Sequence, residues 1–235
     1  MDFWSPFIIA IKMLLGGDPE LFGIIKLSLA ISFTAVGVSL TIGLPVGAIL
    51  ASFKFPGRGV LILIANTFLG MPPIVVGLFI YVLISQSGPL GWMEILYTPH
   101  AMALAQTVLV LPISIALSRQ IFENLNDEYA PLFKSLGIGR WKKISVLVVD
   151  GRVALITIAL ACFGRAISEV GAVIIVGGNI KHFTRVMTTA IALETSKGEL
   201  AVALALGLVL LTIALCVNIA SQFLKRQFNR LGNDV

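Results

Sequence analysis

Two opposite charges lie four residues apart inside an otherwise apolar stretch of this 235-residue chain. Arg165 and Glu169 would share one face of a helix, so they could neutralise each other as an ion pair. They could instead line a passage, where Arg165 attracts an oxyanion and Glu169 keeps the binding weak enough for release. A charge at the centre of an apolar helix costs on the order of 2.5–3.5 kcal/mol on insertion scales, so either role would have to compensate that cost.

A second group of polar residues follows at 177–199, where glycine, asparagine and threonine are frequent. Hydroxyl and backbone N–H groups can donate hydrogen bonds to a tetrahedral dianion, and Lys181 and Arg185 would add positive charge at the mouth of such a site. The same composition is also typical of a solvated loop without a ligand. The candidate pathway residues are Arg165, Ser168, Glu169, Asn179, Thr188 and Thr189.

Residues 127–143 form a basic, glycine-centred segment between apolar runs. Asp127 can cap a helix, and Gly137 can supply its left-handed C-terminal residue. A second helix can begin near Arg140. The first helix would carry an apolar stripe made of Tyr129, Leu132, Phe133 and Leu136. We predict a short separate helix lying across the membrane face, with one apolar side suited to a groove on a soluble partner.

The composition places these segments in a membrane. Hydrophobic residues make up 57% of the chain and charged residues only 12%, with a mean hydropathy of +0.99. We predict an all-α polytopic membrane protein with one domain over residues 1–235. Stretches of roughly 20 apolar residues can span a bilayer. Five such stretches occur, at 27–53, 59–93, 95–118, 152–176 and 200–224.

Other residues indicate how these spans begin, bend and pack. Asp18 followed by Pro19 is a strong helix start, and the double proline Pro72-Pro73 predicts a kink in the second span, as Pro45 does in the first. Gly43 and Gly47 form a GxxxG pair that permits close helix approach. We expect residues 1–15 to form an amphipathic helix at the membrane surface. The third span contains two further candidate pathway residues, the polar Gln106 and Ser114.

The distribution of basic residues predicts the orientation. If the connections alternate sides, eleven lysines and arginines fall on one side and five on the other, with Arg165 inside the membrane. The basic side is cytoplasmic by the positive-inside rule, which puts the N-terminus outside and the C-terminus inside. The net charge of +5 is explained by these connections, so we expect no nucleic-acid partner.

Two segments resemble one family of transport proteins. The stretch at 163–179, with Gly-Arg-Ala-Ile-Ser-Glu-Val-Gly-Ala after Phe163, is similar to a segment of molybdate, tungstate and sulfate permeases, and its Val-Gly-Gly-Asn179 end is most similar to tungstate permeases. The segment at 127–143 resembles the cytoplasmic Glu-Ala-Ala loop of the membrane subunits of type I ATP-binding-cassette importers. It departs from that pattern at three places. Glu128 lies two positions early, Pro131 replaces a helix-favouring residue, and Val149-Asp150 stands in place of Leu-Pro.

The resemblance implies a transport subunit in the plasma membrane of a prokaryote, not an enzyme. It implies a homodimer, a cytoplasmic ATPase dimer that uses ATP and Mg, and a substrate-binding protein on the outer side. This chain itself would need no cofactor or metal, and it contains no GxxxxGK[ST] phosphate loop. The substrate would be an oxyanion, with tungstate first, then molybdate and sulfate. Together with the apolar stripe, the matching positions give the candidate ATPase-coupling residues Glu128, Ala130, Leu132, Phe133, Ser135 and Gly137.

One alternative is a stand-alone ion channel or a secondary transporter for a small anion, using the Arg165–Glu169 pair. Secondary transporters typically contain internal repeats, and none is evident in the sequence. A membrane enzyme is disfavoured because no nucleophile–base set occurs on the spans.

Overall fold

The computed structural model describes residues 4–233, without the side chains of residues 5–7, 140–141, 153 and 224–233. Every regular element in this part of the chain is a helix, as predicted. A short 3-10 turn (Gly91–Met93) accompanies ten α-helices, which are α1 (Ser5–Gly16), α2 (Pro19–Ser52), α3 (Arg58–Leu69), α4 (Pro73–Ile84), α5 (Pro99–Ser135), α6 (Arg140–Asp150), α7 (Arg152–Ile167), α8 (Gly171–Gly177), α9 (Met187–Lys197) and α10 (Leu200–Asn233).

The start of α2 confirms the prediction made for Asp18. Its Oδ1 atom accepts hydrogen bonds from the backbone N–H groups of Glu20 at 2.9 Å and Leu21 at 3.2 Å, and Pro19 occupies the first turn. These bonds satisfy N–H groups that have no partner within the helix. Helix α5 begins in the same way, after Thr98 and with a proline in its first turn.

Three helices are long and apolar enough to cross a membrane by themselves, namely α2, α5 and the Leu200–Phe223 part of α10. Two bent pairs could each form one more span. The pair α3 and α4 is bent by 107°, and the pair Lys142–Asp150 and Ala154–Ile167 by 69°. The described chain thus has three to five candidate spans, in agreement with a polytopic helical membrane protein. The kink predicted at Pro72-Pro73 is a complete break between α3 and α4.

The fourth predicted span, 152–176, is not one helix. Helix α7 ends at Ile167 and α8 begins at Gly171. The Oγ of Ser168 donates to the carbonyl oxygens of Gly164 at 2.9 Å and Arg165 at 3.1 Å, an arrangement that can compete with continuation of the helix. Close packing also constrains the start of α8, because a Cβ added to Gly171 would lie 2.7 Å from a side-chain carbon of Ile74 on α4.

Helix α1 covers part of the predicted N-terminal surface helix. It packs against α10, with Ala10 fully buried and Met13 in the adjoining apolar cluster. Its exposed side is apolar as well, since Ile8, Ile9 and Leu15 are all exposed. Lys12 is exposed as well, so the exposed face is mostly apolar with one charged residue among the side chains described. Residues 1–3 lie outside the described part.

Helices α2 and α5 share the most extensive contact among the described helices. A Cβ added to Gly43 would lie 2.3 Å from the Oγ of Ser114, and one added to Gly47 would lie 1.9 Å from the Oγ of Ser118. The Oγ of Ser118 also donates to the carbonyl oxygen of Gly43 at 3.2 Å across the contact. The GxxxG pair therefore lets the two helices approach to backbone contact, as predicted.

Replacement of Gly47 by alanine should destabilise the protein. The new Cβ would lie 2.9 Å from the backbone nitrogen of Arg119, so α2 and α5 would have to separate, at a cost of about 1–3 kcal/mol typical of overpacking. Gly37→Ala is the matched control, because Gly37 lies in the same helix with nothing within 4 Å of its added Cβ. Thermal unfolding of the two purified variants measures the difference, and equal midpoints would contradict the packing described here.

Candidate functional site

Arg165 and Glu169 meet where α7 breaks. The Nη1 of Arg165 forms an ion pair with the Oε2 of Glu169. The two side chains differ in exposure, because Glu169 is 4% exposed and Arg165 is 36% exposed. The carboxylate side chain therefore lies inside the bundle, while the Arg165 side chain is partly exposed.

Glu169 is fixed by more than its ion pair. Its Oε1 accepts from the backbone N–H of Ala172 at 3.4 Å, and its own carbonyl oxygen accepts from the Oγ1 of Thr188 at 2.8 Å. Arg165, in contrast, has Glu169 as its one hydrogen-bonding side-chain partner within the described residues. The geometry therefore combines a fixed carboxylate with a cation that has donors to spare.

A third helix supports the break. The Nε2 of Gln106, on α5, donates to the carbonyl oxygen of Ala166 at 3.0 Å. Gln106 is buried, and Ser114 on the same helix is buried against α2 at Gly43. Both side chains are buried within this copy of the chain, and their role as residues lining a pathway stays a prediction. Gln106 bonds to the backbone behind the break, a role that its sequence position did not reveal because Ala166 is 60 residues away.

The other candidate pathway residues lie close by but are engaged with one another. The Oγ1 of Thr189 donates to the Oδ1 of Asn179 at 2.9 Å, and the Nδ2 of Asn179 donates back to the Thr189 carbonyl oxygen at 3.4 Å. Thr188 and Thr189 are both buried, whereas Ser168 is exposed beside Arg165. The structure thus brings Arg165, Ser168, Glu169 and Thr188 together, and it gives Asn179 and Thr189 a bond that closes the loop before α9.

The basic residues of the 177–199 region are paired with carboxylates. Lys181 lies 2.9 Å from the Oε2 of Glu20, and Arg185 lies 4.0 Å from Glu20 and 3.9 Å from Glu194. These groups, with Lys197, line a cavity of about 350 Å³ between α1, α2, α9 and α10. Sequence reasoning missed the two carboxylates, because neither lies near Lys181 along the chain. The positive charge expected at this end is therefore largely compensated.

A second ionic group lies at the other end of α2, next to the middle of α5. Glu123 forms ion pairs with Arg58 and with Arg119, and the Nε of Arg58 donates to the carbonyl oxygen of Leu50 at 2.6 Å. This group joins the end of α2, the start of α3 and the middle of α5. The orientation count assigned the basic residues of these two ionic groups to opposite sides. The fold agrees with that division, because the two groups lie at opposite ends of α2.

The segment at 127–143 differs from its prediction in one respect. Residues 127–135 are the end of α5, not a separate helix, and Asp127 caps nothing. The helix continues because residues 119–126 contain no breaking residue and carry the Arg119–Glu123 pair at helical spacing. Pro131 is accommodated within it. Gly137 does adopt the left-handed conformation, with φ +59°, and α6 begins at Arg140 as expected.

The apolar stripe of this segment is divided between two sides. Phe133 is buried and contacts Tyr129 edge to face at 5.8 Å, and the Nζ of Lys143 lies 5.2 Å from the centre of its ring. Leu132 is 52% exposed and Leu136 is 64% exposed. The inner side holds α6, and the outer side is open. The other candidate coupling residues, which are Glu128, Ala130, Ser135 and Gly137, are all exposed.

Comparison with known proteins gives one family. The model of the binding-protein-dependent transport system inner membrane component matches residues 43–230. The tungstate uptake system permease protein TupB of Campylobacter jejuni is 42% identical over 217 residues, which cover 92% of this chain and 91% of that protein. TupB of Peptoclostridium acidaminophilum is 38% identical over 209 residues, covering 89% and 92%.

An archaeal protein is similar to the same extent. The probable anion ABC transporter permease protein of Haloferax volcanii is 40% identical over 219 residues, covering 90% of this chain and 94% of that protein. The matched region of the family model contains both the helix break and the segment at 127–143. The chain therefore belongs to the inner membrane components of binding-protein-dependent transport systems.

Proposed function

We propose that this chain is the membrane-spanning permease subunit of an ATP-driven importer of an oxyanion, with tungstate as the first candidate, then molybdate and sulfate. The partly exposed side chain of Arg165, next to the break between α7 and α8, is the observation that carries the proposal. The names of the relatives, two tungstate uptake permeases and a probable anion permease, support the choice of substrate.

The depth of Arg165 supports a pathway. It lies thirteen residues after the start of α7 at Arg152, a distance of about 20 Å at 1.5 Å per residue. A guanidinium exposed to lipid at that depth would be costly, so its outward face needs water or a polar neighbour. A second copy of the chain would supply water and polar neighbours, because the two break regions would enclose a passage between them. The paired carboxylate of Glu169 keeps the site from holding an anion too tightly.

The exposed side of residues 128–136 is the proposed docking surface for the ATPase dimer. Leu132 and Leu136 give it apolar contacts, and Glu128, Ala130 and Ser135 complete it. Phe133, buried against α6, would keep this surface in place. The ATPase subunits would bind and hydrolyse ATP with Mg, so this chain would need no cofactor of its own.

The remaining partners follow from the orientation. With the basic side inside, the N-terminus would lie outside and the C-terminus in the cytoplasm of a prokaryote. The end formed by the start of α2 and the 177–199 region would then face a substrate-binding protein. Its ionic group of Glu20, Lys181, Arg185 and Glu194 offers both signs of charge to such a partner.

A double variant distinguishes a pathway role of the Arg165–Glu169 pair from simple neutralisation of one charge by the other. In proteoliposomes with the ATPase and binding protein, we expect Arg165→Gln to lower tungstate uptake about 10-fold or more, since it removes a charged hydrogen-bond donor. The single variant also leaves Glu169 buried without its partner, which destabilises folding. The double variant Arg165→Gln/Glu169→Gln removes both charges and should recover stability but not uptake. Recovery of uptake in the double variant would assign the pair a structural role only.

Gly137 provides a test of the coupling surface. Its left-handed conformation costs about 1–2 kcal/mol for a residue with a Cβ, so Gly137→Val should redirect the turn between α5 and α6. We expect loss of tungstate-dependent ATPase stimulation and of uptake. Gly139→Val is the control, because Gly139 has φ −65° and ψ 153°, which valine adopts readily, and nothing lies within 4 Å of its added Cβ.

Two results would count against the ATP-driven proposal. Equal ATPase stimulation in Gly137→Val and Gly139→Val would remove the coupling role of this turn. Uptake of tungstate at the same rate with the ATPase subunit omitted would instead favour the stand-alone channel.

A further inference from the structure

The structure assigns Gln106 and Thr188 as positioning residues, an inference that rests on the proposed pathway. They hold the break between α7 and α8 in place, and through it they position the side chains of Arg165 and Ser168. The two residues come from different helices, α5 and α9. Each donates a hydrogen bond to a backbone carbonyl at the break, namely Gln106 to Ala166 and Thr188 to Glu169.

The physical need for these bonds comes from the break itself. Where a helix stops, its last carbonyl groups lose their partners within the helix. In an apolar bundle they need protein partners, because unsatisfied backbone groups are costly there. The Glu169 carbonyl accepts from Thr188. The Ala166 carbonyl already accepts from the backbone N–H of Glu169 at 3.2 Å, so the bond from Gln106 adds a second donor that links the break to α5. Gln106 and Thr188 are both buried, so their bonds are shielded from water. The two carbonyls lie on either side of Ile167 and Ser168, and therefore flank the point where α7 ends.

Both donors are themselves anchored. Helix α9 is bonded to α2 next to Thr188, because the backbone N–H of Met187 donates to the Oγ of Ser28 at 2.8 Å. Gln106 belongs to α5, which packs on α2 at Gly43 and Gly47. The break is thus connected from two directions to the same pair of helices.

Helix α8 fixes the other side of the break. A Cβ added to Gly77 of α4 would lie 2.6 Å from the Cα of Ala172, so α4 and α8 are in backbone contact. Ala172 also donates its N–H to Glu169. With α8 fixed against α4, and the end of α7 held by Gln106 and Thr188, the conformation of 168–170 is determined from both sides. Loss of either hydrogen-bond donor should change the orientation of the exposed residues of the break relative to the pathway.

Thiol accessibility tests this inference apart from transport. Val170 lies in the break and is 37% exposed, and its side chain takes part in none of the hydrogen bonds among the described residues. We would place Val170→Cys in a Cys216→Ala background, because Cys216 is exposed and Cys162 is buried. The reaction rate of this thiol with a charged methanethiosulfonate reagent is measured in membranes that contain the full complex. Tungstate uptake and its dependence on binding-protein concentration are measured in parallel.

Thr188→Val removes the hydroxyl at nearly constant volume. We expect the reaction rate at position 170 to change about 5-fold, the equivalent of one typical net hydrogen bond. The maximal uptake rate should fall by a similar factor, with the half-saturating concentration of binding protein unchanged. Thr188→Ser keeps the donor and should restore both values. Thr107→Val is the matched control, because the Oγ1 of Thr107 donates only within α5, to Ala103 at 2.7 Å.

Gln106→Leu is the second variant, and it tests the inference if Thr188→Val fails to fold. Unchanged reaction and uptake rates in the folded variants would overturn the positioning role and leave the proposed function intact. A loss in Thr188→Val that Thr188→Ser does not restore would also overturn it. A thiol at position 170 that never reacts with the aqueous reagent, in any variant, would overturn the proposed pathway and the inference with it.

Discussion

An apolar bundle supplies no water to the backbone groups that are freed where a helix stops, so other parts of the protein must bond to them. At the end of α7 this is done by Gln106, by Thr188 and by the hydroxyl of Ser168. The carboxylate of Glu169 adds a bond to the first turn of α8. These bonds hold the segment between α7 and α8, next to which the Arg165 side chain is partly exposed.

The helices that supply those bonds depend in turn on one close contact. Gly43 and Gly47 let α2 approach α5 until the serine side chains of α5 meet the backbone of α2. Helix α5 then places Gln106 behind the break, and α2 places Ser28 at the start of α9. The position of the charged pair therefore follows from the packing of small residues some distance away.

Helix α5 also connects the two regions to which the proposed function assigns roles. It carries Gln106 near the break and Phe133 near the surface at 127–136, and these residues are separated by 27 positions, or about 40 Å of helix. Because residues 127–135 belong to α5, a partner that moved this surface would move the helix that supports the break. Pro112 and Pro131 each remove one backbone hydrogen bond from this helix, so its stiffness comes largely from packing against α2.

Several features followed from the sequence because they depend on local properties. Apolar length determined the helical membrane class, Asp18 and Pro19 determined the start of α2, Gly137 determined the left-handed turn, and the double proline determined the break between α3 and α4. The GxxxG pair likewise indicated close packing, although not its partner helix. In each case the physical cause lies within a few residues.

Other features were decided only by tertiary contacts. At the split of 152–176 into two helices, Gln106 and Thr188 bond to the backbone and α4 packs against α8, all from positions distant in the chain. The same holds for the pairing of Lys181 and Arg185 with Glu20, which compensates a charge that looked free in the sequence. Sequence alone determined which groups would be costly in an apolar bundle. The tertiary structure decided which partners satisfy them, because those partners lie dozens of residues away and only folding brings them within bonding distance.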